Sequence, residues 1–348
     1  MNRWIWLILL VLITAVVVSC SGFIKQQREP LVIETMRVVK PQPKMEPQQL
    51  VNTPQVSATK LFNHVERLNF IRYTPSERSR TRAYITTELK RLGWKPKLER
   101  FTDGVNILAE RQGTNKEAGA ILVAAHYDTV YISPGADDNA SGIAVVLEIA
   151  RLLRTHPTPR TLQLVLFDRE EAGLIGSRAF VTNKAHLQNL NGVIVMDMVG
   201  FACHTAGCQK YPAGLPITPP SNQGDFVAVV GDIEHSSLLS AFQTSQMISS
   251  TAKNKKSKEE SPLPPVLTLP IPFKGLLTPD VLRSDHAPFW YQGVGAVLVT
   301  DTANLRTPHY HQPSDVIGTI DRKFFTGAAQ VVLNATVKLL ESSDRLKN

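Results

Sequence analysis

The sequence predicts a three-layer α/β/α fold with a mostly parallel central sheet. Short apolar runs at 120–125, 161–167 and 192–196, rich in valine, leucine and isoleucine, read as strands buried on both faces. Between them lie longer segments with apolar residues at helical spacing, as in Ile143, Val146, Leu147, Ala150 and Leu153. Strand and helix alternate along most of the chain, the pattern of βαβ crossovers, which lay strands parallel and cover both sides of a sheet. No internal repeat is present.

The N-terminus carries Arg3, an apolar run from Trp4 to Val18, and then Ser19-Cys20-Ser21-Gly22. Charge, length and small-residue end are those of a secretion signal. Val17-Val18-Ser19-Cys20 also resembles a bacterial lipobox, which implies cleavage before Cys20 and lipid on that cysteine. The rival is an uncleaved anchor, although the run is short of the about 20 residues that a spanning helix takes. Residues 1–24 are therefore a signal peptide or membrane anchor. Residues 25–56, with Pro30, Pro41, Pro43, Pro47 and Pro54, read as an extended spacer. Residues 57–345 form the expected globular domain, exported and held at a membrane by the anchor or its lipid.

Within that domain, 57–70 and 75–92 read as helices, the second stopped by Gly93. Strands at 94–101 and 105–110 flank an Asp103-Gly104 turn. The strand at 120–125 leads into His126-Tyr127-Asp128, and a glycine-flanked loop, 134–142, opens the helix that carries Ile143. The strand 161–167 is followed by Glu170-Glu171, Gly173 and Gly176, then by a helix near 177–182 and a strand at 192–196 ending in Asp197. Segment 201–224 is loop-like. Further strands fall at 226–230, 264–269 and 296–300, and helices at 236–247, 284–291 and from about 321 to the end. Polar, lysine-rich 251–262 reads as a solvated insertion.

The chain has 348 residues, 43% of them hydrophobic, enough for a sizeable core. Its formal net charge is +8, concentrated in short runs such as Lys253, Lys255, Lys256 and Lys258. No basic stripe is interleaved with aromatics, which argues against nucleic acid as a partner. Of three cysteines, Cys20 ends the leader. Cys203 and Cys208, in CHTAGC, suit a disulfide in an exported domain, with two free thiols as the alternative.

Metal-capable residues collect at strand ends. His126 follows AILVAA, Glu170 and Glu171 follow LVLF, Asp197 follows GVIVM, and His311 lies in the loop after AVLVT. Open α/β sheets build their sites beyond the carboxyl ends of strands, so these distant residues are expected to converge. Adjacent side chains of a strand point to opposite faces, so Glu170 and Glu171 share a pocket only if the chain turns there. Two histidines and three carboxylates suit a pair of zinc ions with positions left open for chemistry. Five ligands for two ions require a bridge, and Asp138, in its loop, is the candidate, with Asp137 as its rival. Asp128 and Asp315 stand where they can accept the free ring N–H of His126 and His311. Of the remaining histidines, His286 and His309 are the alternatives to His311. Asn139-Ala140-Ser141 matches a glycosylation acceptor but falls inside the loop.

HYD at 126–128, GADDNASG at 135–142, EEAGLIGS at 170–177, MDM at 196–198, SDHAPF at 284–289 and YHQPSD at 310–315 occur in this order. Together they resemble the co-catalytic di-zinc aminopeptidases of peptidase family M28, the group that includes bacterial leucyl aminopeptidase and aminopeptidase S. The resemblance spans about residues 57–342 and implies a zinc-exopeptidase fold, two zinc ions per chain and a peptide substrate. It implies that His126 and Asp197 bind one zinc, Glu171 and His311 the other, and that Asp138 bridges. It makes Glu170 the general base, gives Tyr310 a part in stabilising the oxyanion, and places 284–289 at the substrate pocket. The CHTAGC loop departs from the simplest family pattern and is expected at the rim of the site. Two alternatives stay open: a glutaminyl cyclase-type acyltransferase with one zinc, and a non-catalytic binding module on the same fold.

Overall fold

The computed structural model describes residues 53–212, 221–251 and 263–342. The expected leader, nearly all of the spacer and the polar segment from 252 to 262 lie outside the described residues. The chain from Leu50 onward forms a compact unit of its own.

Among the described residues eight strands form one sheet: β1 (Lys97–Phe101), β2 (Gly104–Arg111), β3 (Ala120–His126), β4 (Thr161–Phe167), β5 (Leu190–Met196), β6 (Val227–Asp232), β7 (Val266–Ile271) and β8 (Ala296–Thr300). Their spatial order is β1-β2-β4-β3-β5-β8-β6-β7. The centre is parallel, β4 on β3, β3 on β5 and β5 on β8. The β1–β2 hairpin joins antiparallel on one side, and β6 with its parallel neighbour β7 joins antiparallel on the other. The carboxyl ends of β3, β4, β5 and β8 therefore open on one edge, while those of β6 and β7 open on the opposite edge.

Among the described residues eight helices flank the sheet: α1 (Ala58–Leu68), α2 (Pro75–Arg91), α3 (Gly142–Leu153), α4 (Ile175–Thr182), α5 (Lys184–Leu187), α6 (Ser236–Thr251), α7 (Ala287–Tyr291) and α8 (Arg322–Glu341). Strand periodicity divides the core in two. Ile121, Val123 and Ala125 of β3, with Ile194 and Met196 of β5, face the side covered by α1, α2, α3, α6 and α8. Leu122 and Ala124, with Val193 and Val195, face the side where Phe180 of α4 and Phe289 of α7 pack. No helix among the described residues is long and apolar enough to cross a membrane.

The helix starts follow from their caps. The Thr74 hydroxyl accepts from the Glu77 N–H while Glu77 accepts from the Thr74 N–H, a capping box before Pro75. Asp321 caps α8 by accepting from the Phe324 N–H. The last spacer residues dock on α8, with Val56 donating to Gln330 Oε1 at 2.9 Å and Gln330 Nε2 donating to the Pro54 carbonyl at 3.1 Å. The expected disulfide between Cys203 and Cys208 is formed.

Asp168, at the end of β4, is fully buried, with Arg78 Nε 2.9 Å and Arg82 Nη1 3.6 Å from its carboxylate. Its Oδ2 also accepts from the Val105 N–H at 3.0 Å, which ties the β1–β2 hairpin to the turn that bears Glu170. Removing one partner of a buried ion pair leaves the other charge uncompensated. Asp168→Ala is therefore expected to lower the unfolding free energy by about 3–5 kcal/mol in urea titrations.

Candidate active site

Four loops at the carboxyl edge of the parallel strands bring the expected residues together. His126 is the last residue of β3, and Asp197 directly follows β5. After β4 the chain turns sharply, with Arg169 and Leu174 in the left-handed region and the Gly173 and Leu174 N–H groups both donating to the Glu170 carbonyl. This turn aims Glu170 and Glu171 into the same pocket. A single carboxylate holds it: Asp128 Oδ1 accepts from the Glu170 N–H at 3.0 Å, and Oδ2 from the Glu171 N–H at 3.2 Å.

The loop bearing Asp138 is gripped from two sides. Arg72, fully buried, donates to the carbonyls of Tyr127, Pro134 and Gly135 at 2.7–2.9 Å and to that of Asp138 at 3.4 Å. Burial pulls its pKa down to about 10, which still leaves a cation at neutral pH. From the other side, the Asp315 carboxylate accepts from the Asp137 N–H at 2.9 Å and the Asp138 N–H at 3.0 Å. Gly135 sits in the left-handed region, and a Cβ there would come within 2.2 Å of the Asp138 carbonyl oxygen, so no larger residue fits. The Asp138–Asn139 peptide bond is cis.

The ligand-type atoms fall into two triads, His126, Glu170 and Asp197, and Asp138, Glu171 and His311, each with its atoms within 4.8 Å of one another. Asp138 joins them. Its Oδ1 lies 3.3 Å from His126 Nε2, and its Oδ2 lies 3.2 Å from His311 Nε2. His126 Nε2 is also 3.6 Å from Asp197 Oδ1, and His311 Nε2 is 3.0 Å from Glu171 Oε2. Donor atoms around a tetrahedral zinc, at bonds of about 2.0–2.2 Å, lie roughly 3.4 Å from one another. The four separations bracket that value, and Glu171 Oε1 is buried without a hydrogen-bond partner, so the donor set fits metal on both sides of Asp138.

Electrostatics agree. Burial, then repulsion from Asp197, Asp285 and Glu171, raises Glu170 well above the carboxylate range against the pull of His126. Burial and Asp138 push Glu171 up to about 7. Burial works against a charged His311, yet Asp138 and Glu171 raise it to about 10. The crowded carboxylates thus draw positive charge into the space between the histidines, as protons or as cations.

Several expectations change. Asp315 does not receive a ring N–H of His311; it anchors the Asp138 loop, because the orphan N–H groups of that loop are nearer. Asp128 does stand behind His126, but Nδ1 meets its backbone carbonyl at 3.3 Å, with the carboxylate at 3.6 Å. Asp137 points away from both triads, and its Oδ1 accepts from the Gly200 N–H at 2.8 Å. His286 is fully buried, its Nε2 bonded to the Val281 carbonyl, and burial lowers its pKa to about 4. His309 pairs with Ser314. Asn139 is fully buried, bonded through its amide to Met196, Met198 and Gly142, and is inaccessible to a glycosylating enzyme.

A cavity of about 470 Å³ opens beside the triads, floored by Ala228, Val230, Leu267, Leu269 and Leu298 from the sheet. The disulfide loop supplies Gln209, Lys210 and Tyr211 to its wall, and Ser284 lines it. Arg283, also at the cavity, donates from Nη2 to the Tyr310 hydroxyl at 2.9 Å. Beneath Ser284, Asp285 is fully buried, and burial pushes its carboxyl up to about 7. Sequence reasoning missed Arg72, Arg283 and Asp285 as individuals. Only the last two had a signal, as neighbours of Ser284 in the SDHAPF motif.

The model of peptidase family M28 matches residues 106–223, a stretch that contains His126, Asp138, Glu170, Glu171 and Asp197. YfbL of Escherichia coli (strain K12), itself uncharacterized, is 32% identical over 239 residues, which is 64% of this chain and 67% of YfbL. The chain belongs to peptidase family M28. As an M28 member it is a hydrolase of the zinc metallopeptidase class. It is also similar to aminopeptidase YwaD of Bacillus subtilis (strain 168), 28% identical over 260 residues, which cover 72% of this chain but only 48% of YwaD. The solved aminopeptidase from Aneurinibacillus sp. strain AM-1 shares the M28 chain's fold with a TM-score of 0.62 at 16% identity, covering 84% of this chain and 96% of that one.

The grip on the Asp138 loop has a measurable consequence. Asp315→Ala removes the acceptor for two backbone N–H groups without touching either triad, and is expected to weaken zinc binding by about 10–100-fold in competition with a chromogenic chelator.

Proposed function

We propose that this chain is an exported, membrane-tethered metallo-aminopeptidase, which removes N-terminal residues from peptides with Glu170 as general base and two zinc ions held by His126, Asp138, Glu171, Asp197 and His311. The observation that carries this reading is Asp138, with one carboxylate oxygen against a histidine of each triad. A one-metal acyltransferase has no use for a second histidine–carboxylate set on the far side of that bridge.

When bound, the zinc pair polarises the scissile carbonyl and lowers the pKa of a water toward neutrality. The remaining work falls to the chain's own residues. Glu170 is buried beside His126 and Asp197, and its raised basicity suits it to take the proton of the attacking water and return it to the leaving amine. Burial, reinforced by the Asp138 and Asp197 carboxylates, raises the Tyr310 hydroxyl well above its ordinary pKa, so it stays protonated and can donate to the oxyanion. Its ring stacks on His311 at 3.8 Å, and Arg283 fixes its oxygen. The carboxylates of the site receive the substrate's free amino group, which accounts for exopeptidase action. The cavity floor of leucine, valine and alanine suits an apolar N-terminal side chain. In this reading the tether is the leader itself, through lipid on Cys20 or as an uncleaved anchor.

Release of the aniline from leucyl and phenylalanyl anilides is expected to outpace release from aspartyl anilide. Glu170→Gln is expected to lower kcat by about 10²–10⁴-fold with zinc content unchanged. Full activity of that variant, or cyclisation of an N-terminal glutaminyl peptide without hydrolysis, contradicts the mechanism.

A further inference from the structure

The cavity beside the triads is rich in acids, yet Arg283 and Lys210 also line it. Both border one turn, Ala303–Leu305. Arg283 Nη1 donates to Asn304 Oδ1 at 3.1 Å, and the Lys210 N–H donates to the Leu305 carbonyl at 2.8 Å. Asp280 lines the same cavity, but Arg283 forms no ion pair with it or with any other acid among the described residues.

An arginine carries five N–H donors in a rigid fork. Arg283 spends one on Asn304 and one on the Tyr310 hydroxyl at 2.9 Å, both neutral acceptors. The side chain is exposed, and its other donors are free to meet a ligand. A guanidinium held in place by neutral partners, with donors to spare, is suited to a carboxylate.

Position decides which part of a peptide meets it. In the proposed reaction Tyr310 donates to the oxygen of the scissile carbonyl. In a trans peptide the α-carboxyl carbon of the following residue lies about 4 Å from that oxygen. A guanidinium bonded to the Tyr310 hydroxyl therefore stands within reach of the C-terminal carboxylate of a dipeptide. In a longer peptide a neutral amide takes that place, and each added residue carries the carboxylate up to about 3.5 Å further away.

We propose that Arg283 binds the C-terminal carboxylate of the substrate and makes dipeptides the preferred substrate class, with Lys210 adding positive potential from the same turn. The proposal rests on the aminopeptidase reading of the site. One guanidinium then holds both the Tyr310 hydroxyl and the residue about to leave. An acidic N-terminal side chain is the poorer partner for these cations, because the cavity floor of Ala228, Val230, Leu267, Leu269 and Leu298 offers it no hydrogen bond.

The test compares kcat/KM of the zinc-loaded protein for leucyl-glycine, leucyl-glycinamide and leucyl-aspartic acid α-amide, whose only carboxylate is on a side chain. Leucyl-glycine is expected to outpace leucyl-glycinamide by about tenfold or more. In Arg283→Met that ratio is expected to fall close to one, and the amide hydrolysis that remains reports a folded site. Arg283→Lys keeps the charge without the fork and is expected to retain part of the preference. Equal wild-type rates on acid and amide would overturn the proposal. So would a loss in Arg283→Met that is the same for both, which leaves Arg283 acting only through Tyr310, or a preference for the side-chain carboxylate. Each of these outcomes leaves the aminopeptidase reading standing. Hydrolysis of none of the three peptides sinks that reading, and the proposal with it.

Discussion

Asp138 stands between His126 and His311 with one carboxylate oxygen turned to each, and most of the surrounding structure serves to keep it there. A short loop with unpaired N–H and carbonyl groups is costly to bury. Here the carbonyls go to the Arg72 guanidinium and the N–H groups to the Asp315 carboxylate. Arg72 begins the approach to α2, while Asp315 follows the loop that carries His311. Asp138 is thereby tied to both ends of the domain, and its loop cannot shift without breaking contacts in each.

The sheet explains why such a crowd of acids is tolerated. Parallel strands β3, β4, β5 and β8 end side by side, so β3, β4 and β5 deliver His126, Glu170 and Asp197 at or just past their ends, and the loop 301–310 after β8 brings His311 to the same edge. The carboxylates that do not face the metal space are spent on backbone: Asp128 on the Glu170 and Glu171 N–H groups, Asp168 on Val105 and the arginines of α2. Those that do face it keep oxygens free, and their mutual repulsion is relieved only by positive charge. The same like-charge crowding that would destabilise an ordinary core selects for cations here.

Much of this was legible in the sequence. The alternation of apolar runs and helical stripes foretold the layers and the central strands, because strands buried on both faces leave no polar positions to confuse the pattern, while the exposed β1 was legible from the Asp103-Gly104 turn beside it. The convergence of His126, Glu170, Glu171, Asp197 and His311 followed from their places at strand ends. The antiparallel insertion of β6 was not legible, since an apolar run carries no mark of its direction. Nor was the role of Asp315, which looked like a partner for His311 only because sequence distance stood in for spatial distance. Arg72 has no signature at all: its partners are main-chain carbonyls, which every residue possesses.

Crystallography of the zinc-loaded protein at the zinc absorption edge tests most directly whether Asp138 organises the proposed two-metal centre. Two anomalous peaks per chain are expected, one among Asp138, His126 and Asp197 and the other among Asp138, Glu171 and His311. A single peak, or two peaks that leave Asp138 without a metal contact, would contradict it.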